Sequence, residues 1–353
     1  MNAEWSEKNR KMQLLIDKND TFNEGIDVLL DLRNDVFKQV SSIVHTYPAD
    51  AFWQMPYATA KGFHSKTLAY SMWHIFRIED IVANTLICNR TQVLFTENFL
   101  ERISSPIITT GNELEDEQIA EFSRQLNVKE LYQYCKSVRA RTEELLRSLE
   151  YSDMKRRFGT EDRQRLIDSR CIDSRDNYSG LIDYWCGKDI RGLMRMPFSR
   201  HWIMHVEAMC RIKNRLCEKA RKGVDPIAYC GLSCNHCFLM AWCGSCRTSY
   251  NTCSYATMYP DNTCPNAACC REKGFDGCYD CPDLENCQVG FYSNGKDGNA
   301  VKAMAIFIHR YGKKELPNVL EKLHQKYDFK KIQQVIGYDT LEGLKILEDN
   351  RSN

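Results

Sequence analysis

The chain has 353 residues, 43% hydrophobic and 27% charged, the balance of an ordinary globular protein of two or three domains. Its net charge of +1 excludes a global field that would gather nucleic acid. No apolar run reaches the roughly 18–20 residues a membrane helix needs; even Met72–Ile87 is interrupted by Arg77, Glu79 and Asp80.

The opening MNAEWSEKNRKMQLL is charged throughout and lacks the apolar core of a secretory signal, so a cytoplasmic chain with reduced thiols is expected. The first long helix is predicted from Thr21-Phe-Asn-Glu24, a capping-box pattern, with Phe22, Ile26, Leu29, Val36, Val40 and Ile43 on one stripe. A second helical stretch runs over about 65–87. A third starts at Asn127-Val-Lys-Glu130, with Leu131, Val138, Leu145 and Leu149 on one side. An irregular, partly helical crossover over 151–199 leads to a fourth helix, about 200–222, which stops at Gly223 with Pro226 beyond. Four amphipathic segments without strand alternation predict a mainly α fold, a four-helix bundle over residues 1–222.

Arg200-His-Trp-Ile-Met-His205 puts His201 and His205 at i, i+4 on the face continued by Ala208, Ile212 and Leu216. His74 shares its helical face with Tyr70, Ile78 and Ile81. Three inward imidazoles from two helices make a nitrogen site with open positions, the arrangement catalytic zinc uses; two hydrogen-bonded core histidines are the plainer reading of the i, i+4 pair alone. Glu79 and Asp80 turn away from the face of His74 and read as solvated charges or cap partners. From Arg211 to Lys222 six basic residues face Glu218 alone, a solvated, dipole-complementing helix end or else a docking surface for the segment that follows.

The stretches Ser71–Asp80 and Arg200–Val206 resemble the DinB-like fold, which includes bacillithiol- and mycothiol-dependent transferases, over about residues 10–222. The resemblance implies a four-helix bundle that binds a divalent metal (zinc, nickel or iron) through His74, His201 and His205. It also implies a transferase or isomerase that activates a low-molecular-weight thiol.

Composition changes at Gly223. Twelve of the 18 cysteines fall between Cys230 and Cys287, within residues that carry little periodic apolar sequence and need staples to fold. Cys234/Cys237, Cys243/Cys246 and Cys278/Cys281 are CxxC pairs, each able to present two thiolates to one ion. With Cys230, Cys253, Cys264, Cys269 (of the adjacent pair Cys269–Cys270) and Cys287 they suffice for two or three four-cysteine sites. Zinc is expected, with an iron–sulfur cluster as the alternative, since four thiolates hold either. His236, inside the first CxxC, reads as a loop residue. Residues 226–292 hold three basic residues against six acidic ones, so this module is not expected to grip nucleic acid. Helical periodicity returns over 298–349, with Val301, Met304, Ile308, Leu320 and Leu323, and is expected to pack over the cysteines. The motif from Ile227 to Cys281 resembles the cysteine-rich domain of unknown function 3795, over about 226–345 of a second module spanning 226–353.

The leading functional expectation is the metal-dependent enzyme, with a small-molecule thiol as its partner. The alternatives are a non-catalytic zinc-binding interaction protein and an iron–sulfur redox or stress-response protein. A homodimer is compatible with the sequence.

Overall fold

The computed structural model describes residues 2–60, 64–173, 176–250, 252–253, 255–259 and 262–351. It is mainly α, as the periodicity predicts; strand-like pairing among the described residues is limited to isolated bridges, Arg157 with Asp189 and Ile227 with Ser233. No helix among them is long and apolar enough to cross a membrane. The chain forms two compact units, Met1–His45 with Ala49–Lys213, and Thr46–Pro48 with Asn214–Asn353.

The first unit holds α1 (Ala3–Leu15), α2 (Phe22–Thr46), α3 (Leu68–Asp80), α4 (Val93–Thr96), α5 (Phe99–Ile103) and α6 (Glu117–Gln125). It continues with α7 (Val128–Ser148), α8 (Thr160–Asp168), α9 (Asp176–Cys186), α10 (Ile190–Arg195) and the beginning of α11 (His201–Ala220). Helix α1 escaped the sequence reading because its stripe is thin: only Trp5 and Met12 are buried, beneath a cap in which Asn2 accepts from Glu4 N and Trp5 N. In α2 the predicted stripe, Phe22 to Ile43, is buried. Thr21, placed in a capping box by its sequence, lies in a preceding 3-10 turn and donates its hydroxyl to Leu15 O. Helix α7 starts where expected, the Asn127 side chain accepting from Glu130 N.

Four long helices share one core. Phe37 of α2 meets Phe76 of α3, Tyr132 of α7 and Trp202 of α11, ring centroids 5.8–6.2 Å apart. Helix α3 is the innermost, all 13 of its residues being buried, and it runs on as a π-turn over Ile81–Ile87. A second π-turn, Met196–Arg200, leads directly into His201. Such turns add a residue per cycle and re-aim the side chains that follow.

The expectation that Glu79 and Asp80 are solvated is corrected: both are fully buried. Arg33 donates to both Glu79 oxygens, at 2.7 and 3.0 Å, and Trp202 Nε1 donates to Oε2 at 2.7 Å. Asp80 does act as a cap partner, though for another helix: it accepts from Val93 N and Leu94 N at the start of α4. It also accepts from Asn84 and from the Tyr134 hydroxyl. Full hydrogen bonding is what makes these buried charges tolerable.

In the second unit α12 (Pro265–Lys273), α13 (Gly295–Tyr311), α14 (Glu315–His324), α15 (Phe329–Ile336) and α16 (Thr340–Asp349) are joined to the cysteine-rich segment, which is built from 3-10 turns. Helix α13 is the hub. Its Val301, Met304 and Ile308 are buried in one cluster with Ile227, Cys270, Cys278, Tyr279 and Leu284 of that segment, so the late helices do cover the cysteines. Gly231 shows how close the packing is: at φ +90°, an added Cβ would lie 2.7 Å from the Ala305 Cβ. Arg221, from the basic end of α11, donates to the carbonyls of Met240 and Cys243, whereas Arg215 pairs with Glu218 at the surface.

Candidate metal centres

The i, i+4 spacing on α11 and the inward face of α3 bring three imidazoles together. The ligand atoms of His74, His201 and His205 all lie within 4.8 Å of one another. His74 Nε2 and His201 Nε2 are 3.2 Å apart, and the His205 ring centroid is 4.7 Å from that of His74 and 4.5 Å from that of His201. With metal–nitrogen bonds of 2.0–2.1 Å, two nitrogens on one tetrahedral ion stand about 3.3 Å apart, close to the separation seen. The donor set fits a divalent ion.

Protonation favours the same use. Burial pushes His74 from the ordinary 6.5 down to about 4, against the Thr110 hydrogen bond, which raises it, and with a smaller lowering by the Lys66 charge. Burial also holds His201 and His205 well below the ordinary value, and neighbouring histidines add to the depression. The rings are therefore neutral near pH 7, the state in which imidazole binds metal.

A strap over residues 108–111 orients the α3 face. Tyr70 donates its hydroxyl to Gly111 O, Trp73 its Nε1 to Thr109 O, and Arg77 its Nε to Ile108 O, at 2.8–3.0 Å. His74 Nδ1 sits 3.0 Å from Thr110 O. A carbonyl can only accept, so Nδ1 carries the proton and Nε2 keeps its lone pair for a metal. These four side chains occupy i, i+3, i+4 and i+7, one helical face gripping four consecutive carbonyls. Tyr70 also stacks on His74, centroids 5.6 Å apart. On α11, Trp202 is held between Glu79 and the Arg33 guanidinium, 4.1 Å from its ring, and fixes the residue beside His201. Sequence spacing finds the triad and misses the strap, because a carbonyl acceptor carries no residue signature.

The cysteines are arranged differently. All 18 are free thiols. Cys230, Cys234, Cys237 and Cys243, with Cys246, Cys253 and Cys264, line one cavity of about 320 Å³. Cys269, Cys270, Cys278, Cys281 and Cys287 line a second, of about 270 Å³. Both members of the adjacent pair Cys269–Cys270, between which the sequence does not decide a ligand, line this second cavity, and Cys270 Sγ meets Cys278 Sγ at 3.6 Å. His236 lies outside both linings, its ring nitrogens facing the Ser233 hydroxyl at 2.8 Å and a Glu321 carboxylate oxygen at 3.6 Å. Among the described residues the histidine group is the only set of three or more His, Cys, Asp or Glu ligand atoms within 4.8 Å of one another.

Electrostatics set the thiols apart from the imidazoles. Burial, then the charge of neighbouring thiolates, pushes Cys234 and Cys243 up to about 12. Cys246 rises to about 11, mainly through burial. Cys278 is pulled down to about 6, chiefly by its hydrogen bond with Cys270, which rises in turn. Several thiolates cannot share so dry a space without a cation to neutralise them. Cys135, Cys171 and Cys217 are buried and line neither cavity. No family model, no curated protein and no solved structure matches the chain.

Proposed function

We propose that the first unit is a metal-dependent enzyme of the transferase or isomerase kind, whose centre is a divalent ion held by His74, His201 and His205. One observation carries this reading: three neutral, buried imidazoles from two helices converge within 4.8 Å. Three protein nitrogens leave an ion with positions for water or substrate, unlike the closed four-ligand sets of structural sites. Such an ion brings a bound water toward neutral pKa and stabilises a thiolate outright. The substrate proposed is a small thiol. Lys66, half-buried with its ammonium 4.8 Å from the Tyr70 ring centre, offers a counter-charge for an acidic group on that thiol.

Cobalt substitution tests the reading. Cobalt(II) is added to the metal-free chain and a small thiol such as N-acetylcysteine is then titrated in. A new sulfur-to-cobalt charge-transfer band in the near ultraviolet, absent in His201→Ala, is expected. A thiol-induced change of equal size in wild type and variant contradicts the proposal, as does no change in either.

A further inference from the structure

The helix α12 divides the twelve clustered cysteines. Cys264, its N-terminal cap, and Ala267 face the 320 Å³ cavity, while Asn266, Cys269, Cys270 and Lys273 face the 270 Å³ cavity. At 100° per residue those two sets lie on roughly opposite sides of one helix, so α12 is a wall with cysteine on both faces. The CxxC pairs respect that wall. Cys234/Cys237 and Cys243/Cys246 open into the first cavity, and Cys278/Cys281 into the second.

The spacing of the thiols bears on what the first cavity takes. Zinc–sulfur bonds of 2.3 Å set thiolates of one tetrahedral zinc about 3.8 Å apart. Among the described residues no three cysteine thiols approach within 4.8 Å of one another. Thiolates that each bind a different iron of a cluster stand further apart, around a body that needs volume of its own. The first cavity supplies that volume, walled by apolar Leu232, Phe291 and Val301 as well as by sulfur.

We infer that the seven-cysteine cavity seats an iron–sulfur cluster on four of its thiolates, and that the five-cysteine cavity is a second, independent thiolate metal site. This stands apart from the histidine centre: neither its residues nor its test involve the triad. Cys278 and Cys270, already paired at 3.6 Å, form the core of the second site. The wall also accounts for the adjacent Cys269–Cys270 pair, since both residues look to the same side of α12.

The experiment loads the full chain anaerobically with ferric iron, excess thiol reductant and sulfide, the thiol reducing the share of the iron that must be ferrous, then measures iron, acid-labile sulfide and visible absorbance per chain. The unmodified protein is expected to become brown and to retain sulfide through gel filtration. A colourless protein that keeps zinc and no sulfide overturns the cluster. For the partition, Cys234→Ser/Cys237→Ser is expected to lose the first-cavity cluster, and Cys281→Ser/Cys287→Ser to keep at least half of the wild-type sulfide. If both pairs lose all sulfide while circular dichroism stays wild-type, the two sites are not independent. Alkylation mapping of the unmodified chain needs no variant: loading should protect at least four thiols of the first cavity, and equal alkylation before and after loading refutes the assignment.

Discussion

In the first unit the buried charges arrive already matched: Arg33 with Glu79, Arg77 with Asp80, each carboxylate further satisfied by Trp202, Tyr134 or backbone N–H groups. In the second unit the first cavity holds thiols such as Cys234 and Cys243, driven toward the neutral state by burial and then by one another's charge. We therefore expect the first unit to hold its shape without an ion, a metal at its histidines being an addition to a core already paired. A metal bound by the second unit would have to deprotonate those thiols, so there metal binding and folding are expected to be coupled.

Metal removal should separate the two units most strongly. Structural metal contributes on the order of 10 kcal/mol or more to small thiolate modules. Stripping the chain with a strong chelator under reducing conditions is expected to abolish amide-exchange protection over 226–292, while α3 and α7 keep theirs. Equal loss in both units would break the contrast.

A smaller but still large effect is expected from Glu79→Ala. It leaves the fully buried Arg33 guanidinium without its bidentate carboxylate, only Glu143 remaining at 3.8 Å, and breaking a buried pair costs about 3–5 kcal/mol. Urea unfolding of the first unit reads this directly; a change below roughly 1 kcal/mol would mean that the pair does not organise the core.

Acidification provides a third probe. In the fold His74 takes up a proton only near pH 4, whereas in the unfolded chain it does so from about 6.5. Its folded value is depressed, so stability is intact above 6.5 and falls as pH drops toward 4. The loss for this one residue is roughly 3 kcal/mol, from about 1.4 kcal/mol per pKa unit. The metal-free His74→Gln variant should lack that part of the slope. Parallel pH profiles for the two proteins would contradict neutral, desolvated rings.

Much of this architecture is legible in the sequence, for reasons that differ by residue. The stripe of α2, the Asn127 cap and the His201/His205 pair are local, periodic signals, and each has its expected local geometry. Glu79 and Asp80 defeat the same logic, because helical periodicity assumes one wet face and α3 has none. Their partners, Arg33 and the start of α4, are far away in sequence or point from backbone, and no spacing rule announces them. The cysteine run is visible as a run, but its division is not. Which thiols share a cavity depends on how α12 turns between them, and the choice between Cys269 and Cys270 depends on which sulfur reaches Cys278.

The central claim is that the three histidines hold an ion of their own. Elemental analysis of metal per chain, compared between wild type and His201→Ala prepared side by side, tests it most directly. The expected result is a loss of one ion per chain, with the metal of the cysteine unit unchanged and the helical content retained. Identical metal content in the two proteins would contradict it.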